Sequence, residues 1–162
     1  MNKTLMKTTL GAVCLTLSVA AWAEKASIKK PGQSIYKDWR LISVSHRLEN
    51  KTLRAILGND TAIEAARADK TKPWPDGTVL AKVVWKERAH PNWPQAVVPG
   101  DFAAAEAMIK DSKKYAATGG WGFAHWVNNK LEMHDAETSA KCFACHTPMK
   151  DNDYVYTFDA LQ

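Results

Sequence analysis

The sequence predicts an α+β fold in which strands predominate and the helices are few and short. Apolar residues alternate along residues 78–87, which is the periodicity of a strand with a buried face. Proline and glycine turns interrupt the chain at short intervals, and no segment carries the long heptad pattern of a helical bundle. A β-rich domain with short connecting helices accounts for these three patterns.

The first half of the chain is predicted to hold three strands and one helix. In chain order, we predict strands at 39–47, 52–57 and 78–87, a short helix through residue 67 after the cap Asn59-Asp60-Thr61, a rigid turn at 72–77 and a loop at 91–100. The cap residues and the apolar spacing of Ile63 and Ala66 indicate the helix. Prolines punctuate residues 91–100 and indicate the loop.

Residues 102–115, in the second half, fit two patterns. Their alanines favour a helix by propensity, which is a weak guide. As a strand, alternation places four residues on one face: Phe102, Ala104, Glu106 and Met108. If these residues begin as a strand, we predict that a helix follows from near Lys110. The later predictions are an end of that helix at 119–120, a strand at 121–127, a short helix from about 136 and an extended piece at 154–157.

Residues 1–23 have the features of a cleaved signal peptide. Lys3 and Lys7 form a positive segment, residues 10–20 are apolar, and Ala21-Trp22-Ala23 matches a small-residue cleavage site. The apolar stretch is too short to span a bilayer comfortably. We therefore expect cleavage after Ala23 and no membrane anchor after cleavage.

The remaining chain divides into a loose N-terminal leader at 24–35 and one domain at 36–162. This length is sufficient for a hydrophobic core. The full chain has a formal net charge of +5, but its lysines and arginines are scattered and form no stripe. The charge pattern therefore argues against nucleic acid as a partner.

The run Cys142-Phe143-Ala144-Cys145-His146 is typical of a c-type haem attachment site. In such a site the thiols of Cys142 and Cys145 bond to the haem vinyl groups, and His146 is the proximal iron ligand. A zinc site would need two further ligands, and a thioredoxin-like pair normally follows the first strand. We therefore predict one haem c and, because covalent attachment occurs after export, a periplasmic location.

The second axial position of this haem has no obvious ligand. Met149 lies too close to His146 along the chain to reach the other haem face, unlike the distant methionine of a small electron-transfer cytochrome c. Four other histidines are possible sixth ligands, although a lone histidine is more often structural: His46, His90, His125 and His134. An open position would bind small molecules.

Lys82 is the only charged residue at the centre of the best predicted strand. Leu80 and Val84 flank it on one face, so its ammonium must either extend to water or lose its proton and become nucleophilic. A lysine that extends to water from an edge strand is the simpler interpretation on composition alone.

Four segments in order resemble the cytochrome P-460 family: Asp76-Gly-Thr-Val-Leu-Ala-Lys82, Glu106-Ala-Met-Ile-Lys-Asp-Ser-Lys-Lys-Tyr115, Gly120-Trp-Gly-Phe123 and Cys142-Phe-Ala-Cys-His146. The resemblance covers about residues 36–157. It implies a mainly antiparallel β-sheet with a few short helices packed around one c-type haem, a homodimer, and five-coordinate iron.

The resemblance also implies roles for three side chains. Lys82 matches the lysine that is joined covalently to the porphyrin edge, Glu106 matches a distal carboxylate that accepts protons, and Arg54 matches a distal arginine. Arg54 could anchor a propionate or bond to a ligand, and a plain surface arginine is an alternative. Glu106 could likewise be an ordinary exposed glutamate.

Family members of the cross-linked type resemble enzymes that oxidise hydroxylamine, with nitric oxide, towards nitrous oxide. Such an enzyme implies a periplasmic redox partner, such as a small cytochrome c. Two alternatives stay open: a cytochrome c′-β-like protein that binds nitric oxide or carbon monoxide without turnover, and a plain electron-transfer cytochrome.

Overall fold

The computed structural model describes residues 35–158, so the predicted signal peptide and nearly all of the predicted leader lie outside the described residues. Six strands form one antiparallel sheet in which chain neighbours are sheet neighbours. They are β1 (Arg40–Arg47), β2 (Thr52–Gly58), β3 (Val79–His90), β4 (Trp93–Lys110), β5 (Trp121–Val127) and β6 (Lys130–Met133). Helix α1 (Asp60–Arg67) and helix α2 (Ala136–His146) complete the fold. The predicted α+β class with a mainly antiparallel sheet is confirmed.

Helix α1 begins where the sequence predicts, and its cap also positions β3. The side-chain oxygen of Asn59 accepts hydrogen bonds from the backbone N–H groups of Ala62 at 3.1 Å and Val79 at 3.0 Å. The first bond caps the helix, because it satisfies an amide that has no partner within the helix. The second fixes the first residue of β3 beside the start of α1.

The prediction of a loop at residues 91–100 is wrong. Residues 91–92 form the turn of a long hairpin, and residues 93–100 form the first half of β4, which pairs with β3. The pairing of β4 with β5 extends only from Glu106 to Lys110, so the outer edge of the earlier half has no strand beside it within the described sheet. Pro94 and Pro99 are tolerated there because an edge strand does not need every backbone donor.

The prediction of a helix from Lys110 is also wrong. The chain makes a turn there, followed by a 3-10 helix at Ala116–Thr118. The Asp111 carboxylate accepts from the backbone N–H groups of Lys113 at 3.2 Å and Lys114 at 2.9 Å, and this local bonding competes with a regular helix. Gly119, at a φ of 65°, ends the 3-10 helix. Residues 154–157, predicted to be extended, join no strand among the described residues.

The two faces of the sheet carry different layers. Helices α1 and α2 cover one face, where the largest cluster of buried residues includes Ile63, Leu80 and Trp121. On the other face, Tyr36 packs edge-on to Trp126 with ring centroids 4.5 Å apart, over Val83 and its neighbours. The helix-covered face is the one that the candidate site occupies. Within residues 35–158, neither helix is long and apolar enough to cross a bilayer.

Candidate functional site

Strand register brings Lys82 and Glu106 together on the helix-covered face. Lys82 of β3 lies directly opposite Glu106 of β4, and the lysine Nζ forms an ion pair with Oε2 of the glutamate. The two side chains remain 36% and 43% exposed. Leu80, two residues before Lys82, lies in the buried cluster that contacts α2, so the pair points towards the helices.

Helix α2 carries the cysteine-histidine motif to the same face. The Asp135 carboxylate accepts from the backbone N–H of Thr138 at 2.7 Å and so caps the helix. Cys142 packs against the buried cluster, and the rings of His146 and Phe123 are 5.5 Å apart. Since Phe123 lies two residues before His125 on β5, the motif faces the part of the sheet beside Glu106.

The pKa of the Cys142 thiol reports this proximity. Burial raises the pKa most, the Glu106 carboxylate raises it further, and the Lys82 ammonium acts in the opposite direction. Cys142 and Cys145 are both free thiols, the first partly buried and the second exposed. Both thiols are therefore available for thioether formation, and Cys142 lies near the Lys82–Glu106 pair.

His146 is held in the tautomer that a proximal ligand needs. Its Nδ1 lies 2.7 Å from the carbonyl oxygen of Tyr154, and because a carbonyl only accepts, Nδ1 carries the proton. Nε2 is then free to bind a metal, as the partner of the other ring nitrogen decides. Burial lowers the pKa of the His146 imidazole, which favours the neutral form that ligates iron.

Residues 76–78, which lead into β3, form hydrogen bonds with residues 110–112, at the end of β4. The carboxylate of Asp76 accepts from both the backbone N–H and the hydroxyl of Ser112, each at 2.8 Å. The backbone N–H of Gly77 donates to the carbonyl of Lys110 at 3.0 Å, and the Lys110 N–H donates to Thr78 at 2.9 Å. These bonds fix the register that sets Lys82 opposite Glu106.

Arg54 lies on β2 with a buried nitrogen that has no partner. Its register partner on β3 is Val84, so it lies on the same face as Lys82. The Nε atom is buried and makes no hydrogen bond within residues 35–158. Burial lowers the pKa of the Arg54 guanidinium, and the nearby Glu106 carboxylate partly offsets this effect. A buried donor without a partner is costly, so this group fits an acceptor supplied by a ligand.

The residues present fit a c-type haem. Two free thiols, a histidine whose Nε2 is available, and an arginine with an orphaned donor all lie on one side of the sheet. Two of the candidate sixth ligands are engaged elsewhere. His46, on β1, pairs with Glu87, and His90, near the turn of the β3–β4 hairpin, packs against Trp93. The groups that can hold a haem therefore lie on α2 and on the sheet residues opposite it.

Sequence reasoning missed the association of His125 with His134. Their Nδ1 atoms are 3.2 Å apart although the residues are nine positions apart in the chain. The alternation of Phe123 and His125 on β5 could have placed His125 on the site face. The register that sets it opposite Glu106 had no signal in the sequence.

Comparison with known proteins gives one family. A family model described as Cytochrome P460 matches residues 33–157, which is most of the chain. Among the curated proteins, none matches this sequence. The family match agrees with the site geometry, because the family is one of haem proteins and α2 carries the cysteine-histidine motif.

Proposed function

Since this chain belongs to the cytochrome P460 family and is therefore a c-type haem protein, we propose that it oxidises hydroxylamine, with nitric oxide, towards nitrous oxide. One observation carries the proposal: the Glu106 carboxylate lies directly opposite Lys82, on the sheet face towards which α2 presents Cys142 and His146. Such an oxidation requires a base beside the haem site, and Glu106 supplies one.

The chain holds the cofactor through α2 and the sheet. Cys142 and Cys145 would form the two thioethers, and His146 would bind iron through Nε2, oriented by the Tyr154 carbonyl. When bound, the haem supplies an iron that takes a small nitrogenous ligand and accepts electrons. The protein residues then bind and orient the substrate and move its protons.

Glu106 is the proposed proton acceptor. One hydroxylamine and one nitric oxide give one nitrous oxide, one water, one proton and one electron, so a base and an electron acceptor are both needed. A positioned carboxylate can take the proton as the electron leaves, and general-base catalysis of this kind contributes roughly 10²–10⁴-fold. The acceptor of the electron is proposed to be a periplasmic partner such as a small cytochrome c.

Lys82 is proposed to form a third covalent bond to the haem edge, as the resemblance implies. The ion pair supports this role, because Glu106 can take the ammonium proton and leave a neutral, nucleophilic amine. The new bond would replace one N–H bond of that amine and one C–H bond of the porphyrin edge, so its formation would also release two protons and two electrons to an external two-electron oxidant. Once Nζ is bonded elsewhere, the Glu106 carboxylate no longer neutralises an ammonium. The same bond would therefore free the base for turnover.

Arg54 is proposed to donate a hydrogen bond to a haem propionate or to the ligand bound to the haem. The orphaned, buried Nε supports the proposal, because a propionate or a bound oxygen atom would satisfy it. The predicted signal peptide supports a periplasmic location, and the family resemblance supports a homodimer.

A gas-binding protein without turnover is the second candidate. It is favoured if the Lys82–Glu106 ion pair is retained in the haem-bound protein. The lysine ammonium then neutralises the Glu106 carboxylate, and the amine stays protonated. Nitric oxide or carbon monoxide would bind to the iron, but no base would remove protons from hydroxylamine.

The test measures nitrous oxide from purified holoprotein given hydroxylamine, nitric oxide and a one-electron acceptor. The wild type is expected to form nitrous oxide, and Glu106→Gln to form it roughly 10²-fold more slowly with hydroxylamine binding retained. Glu64→Gln, on the exposed side of α1, is the matched control and should match the wild type. A wild type that binds nitric oxide but makes no nitrous oxide would favour the gas-binding alternative.

A further inference from the structure

A row of ionisable side chains crosses the sheet from the candidate site to its edge. Glu106 of β4 lies directly opposite His125 of β5, and His125 lies opposite Glu132 of β6. Residues directly opposite in an antiparallel pair lie on the same face with Cβ atoms about 4.5–5.5 Å apart. The Glu106 carboxylate and the His125 imidazole can therefore meet directly or through a single water molecule.

The row continues into a second histidine. His134 follows β6 and donates its backbone N–H to the carbonyl of Phe123 at 3.0 Å, which places it beside His125. The two Nδ1 atoms are 3.2 Å apart and the ring centroids 4.5 Å apart. A bond between two imidazole nitrogens needs one to donate and the other to accept, so a single proton lies between the two rings.

The row ends at a side chain that is exposed to solvent. Glu106 is 43% exposed on the face that α2 covers, both histidines are partly buried, and Glu132 is exposed at the edge strand β6. The row therefore runs from the site beside the cysteine-histidine motif to water at the edge of the described sheet.

We propose that His125 and His134 carry protons from Glu106 to solvent at the β6 edge. This inference rests on the proposed function, in which Glu106 takes a proton from the substrate. The O–H bond of the Glu106 carboxylic acid breaks, and a ring nitrogen of His125 gains the proton. His125 then releases its other proton to His134, which passes it to water or to Glu132.

Each group returns to its starting charge after the transfer, and no electron moves along the row. The two imidazoles are then in the opposite tautomers, so their ring protons must exchange with water before the next transfer. Imidazole suits this task because it can take a proton at one nitrogen and release one from the other. The Lys82 ammonium blocks the transfer while it is paired with Glu106, since a carboxylate held in that ion pair does not deliver a proton. The relay therefore works after Lys82 has released the carboxylate.

The first test separates proton release from ligand binding without relying on hydroxylamine turnover. Ferric holoprotein is mixed with hydrogen cyanide, which loses its proton when it binds haem iron. The haem spectrum reports binding, and a pH-indicator dye in unbuffered solution reports the release of the proton. The variants are His125→Gln and His134→Gln, with His90→Gln, at the end of the β3–β4 hairpin, as the matched control.

In the wild type and in His90→Gln, proton release should keep pace with binding. In His125→Gln and His134→Gln, binding should be unchanged while release lags about tenfold, a part of the roughly 10²–10⁴-fold that positioned proton transfer supplies. Release that keeps pace in both variants, or a wild type that releases no proton, would overturn the relay. Because His134 lies outside the strands, its variant tests the relay even if His125→Gln folds poorly.

Two further readouts exclude other roles for the pair. The resting haem spectrum should be unchanged in both variants; a change of iron coordination would make His125 a ligand and overturn the proposal. Turnover of hydroxylamine should fall in both variants and recover as phosphate buffer is added, because a mobile proton carrier replaces the relay. A fall that phosphate does not reverse would indicate a structural role.

The two proposals fail in different ways. A wild type without hydroxylamine turnover, but with a lag confined to the His125 and His134 variants, would reject the proposed function and keep the relay. Slow turnover of Glu106→Gln together with normal proton release in the histidine variants would reject only the relay.

Discussion

Lys82 on β3 and Glu106 on β4 form an ion pair across neighbouring strands, on the face of the sheet that also receives Cys142 and His146 from α2. The pair joins the amine proposed to bond the haem and the carboxylate proposed to remove protons. Each neutralises the other while both are charged. The state of Lys82 therefore controls whether Glu106 can act as a base.

Replacement of Lys82 tests the third bond to the haem. In Lys82→Ala the intact mass should correspond to haem held by two thioethers only, and the red-shifted Soret band expected of the cross-linked wild type should be lost. Lys86→Ala, further along β3 and exposed, is the matched control: its mass should correspond to its own chain with the cross-linked haem, and its spectrum should match the wild type. An ordinary c-type spectrum in the wild type would contradict the bond.

Replacement of Arg54 should affect binding more than turnover. The orphaned Nε is buried on the site face, so Arg54→Gln removes an interaction that is formed with the bound ligand or a propionate. We expect KM for hydroxylamine to rise about tenfold with kcat nearly unchanged. This pattern arises when the lost interaction stabilised the bound substrate and the transition state equally. Arg40→Gln, whose partner Asp60 is exposed, is the control. A fall in kcat alone would assign Arg54 to the chemical step.

The buried pair of Lys110 and Asp153 should stabilise the fold strongly. The Nζ atom is 2.8 Å from the carboxylate, the side chains are 6% and 9% exposed, and the carboxylate also accepts from the backbone of Trp74 at 2.9 Å. Asp153→Asn leaves a buried ammonium without a counter-charge, which costs roughly 3–5 kcal/mol in the free energy of unfolding. Urea denaturation followed by circular dichroism measures the loss.

The control for this pair is Glu137→Gln, the same change of acid to amide. Glu137 and Lys141 also form an ion pair, but their side chains are 79% and 73% exposed. Solvent screening limits such a pair to about 1 kcal/mol or less. Equal destabilisation by the two substitutions would show that the buried contact has no special value.

The bond between Asp76 and Ser112 should make stability depend on acidic pH. Hydrogen bonds from the Ser112 hydroxyl and backbone N–H lower the pKa of the Asp76 carboxyl in the folded protein. The stabilisation is therefore present above the usual aspartate pKa of about 4 and is lost as the pH falls below it, through the lower pKa of the folded state.

The measurement compares unfolding midpoints of the wild type and Asp76→Asn from neutral pH to about pH 2. The wild type should be more stable at neutral pH, and the difference should shrink as the pH falls below about 4. Asp69→Asn, just after α1, is the control and should show no such trend. A difference that persists unchanged at the lowest pH would show that the charge of Asp76 is not what binds Ser112.

Local patterns in the sequence predicted several elements correctly for physical reasons. Asn59 caps α1 because its side chain can accept from amides that no helix turn satisfies. Residues 102–110 fitted both a helix and a strand by sequence. The structure has the strand, with Ala105 and Ala107 buried on one face, because burial outweighs a small intrinsic preference.

Two errors arose where distant contacts decided the structure. Pro94 and Pro99 suggested a loop, but they lie where β4 has β3 on one side and no strand of the described sheet on the other. Near Lys110, bonds to Thr78 and Asp153, both remote in sequence, replaced the predicted start of a helix. Neither set of partners is visible in a local window.

The sequence by itself predicted how a haem would be attached. Cys142, Cys145 and His146 are neighbours along the chain, so their spacing is set by the backbone and does not depend on tertiary contacts. Only the tertiary structure decided that Lys82 meets Glu106, that Glu106 lies opposite His125, and that a buried donor of Arg54 has no partner among residues 35–158. Strand register sets these contacts, and register depends on how the whole sheet pairs. A shift of one residue would turn each of these side chains to the other face.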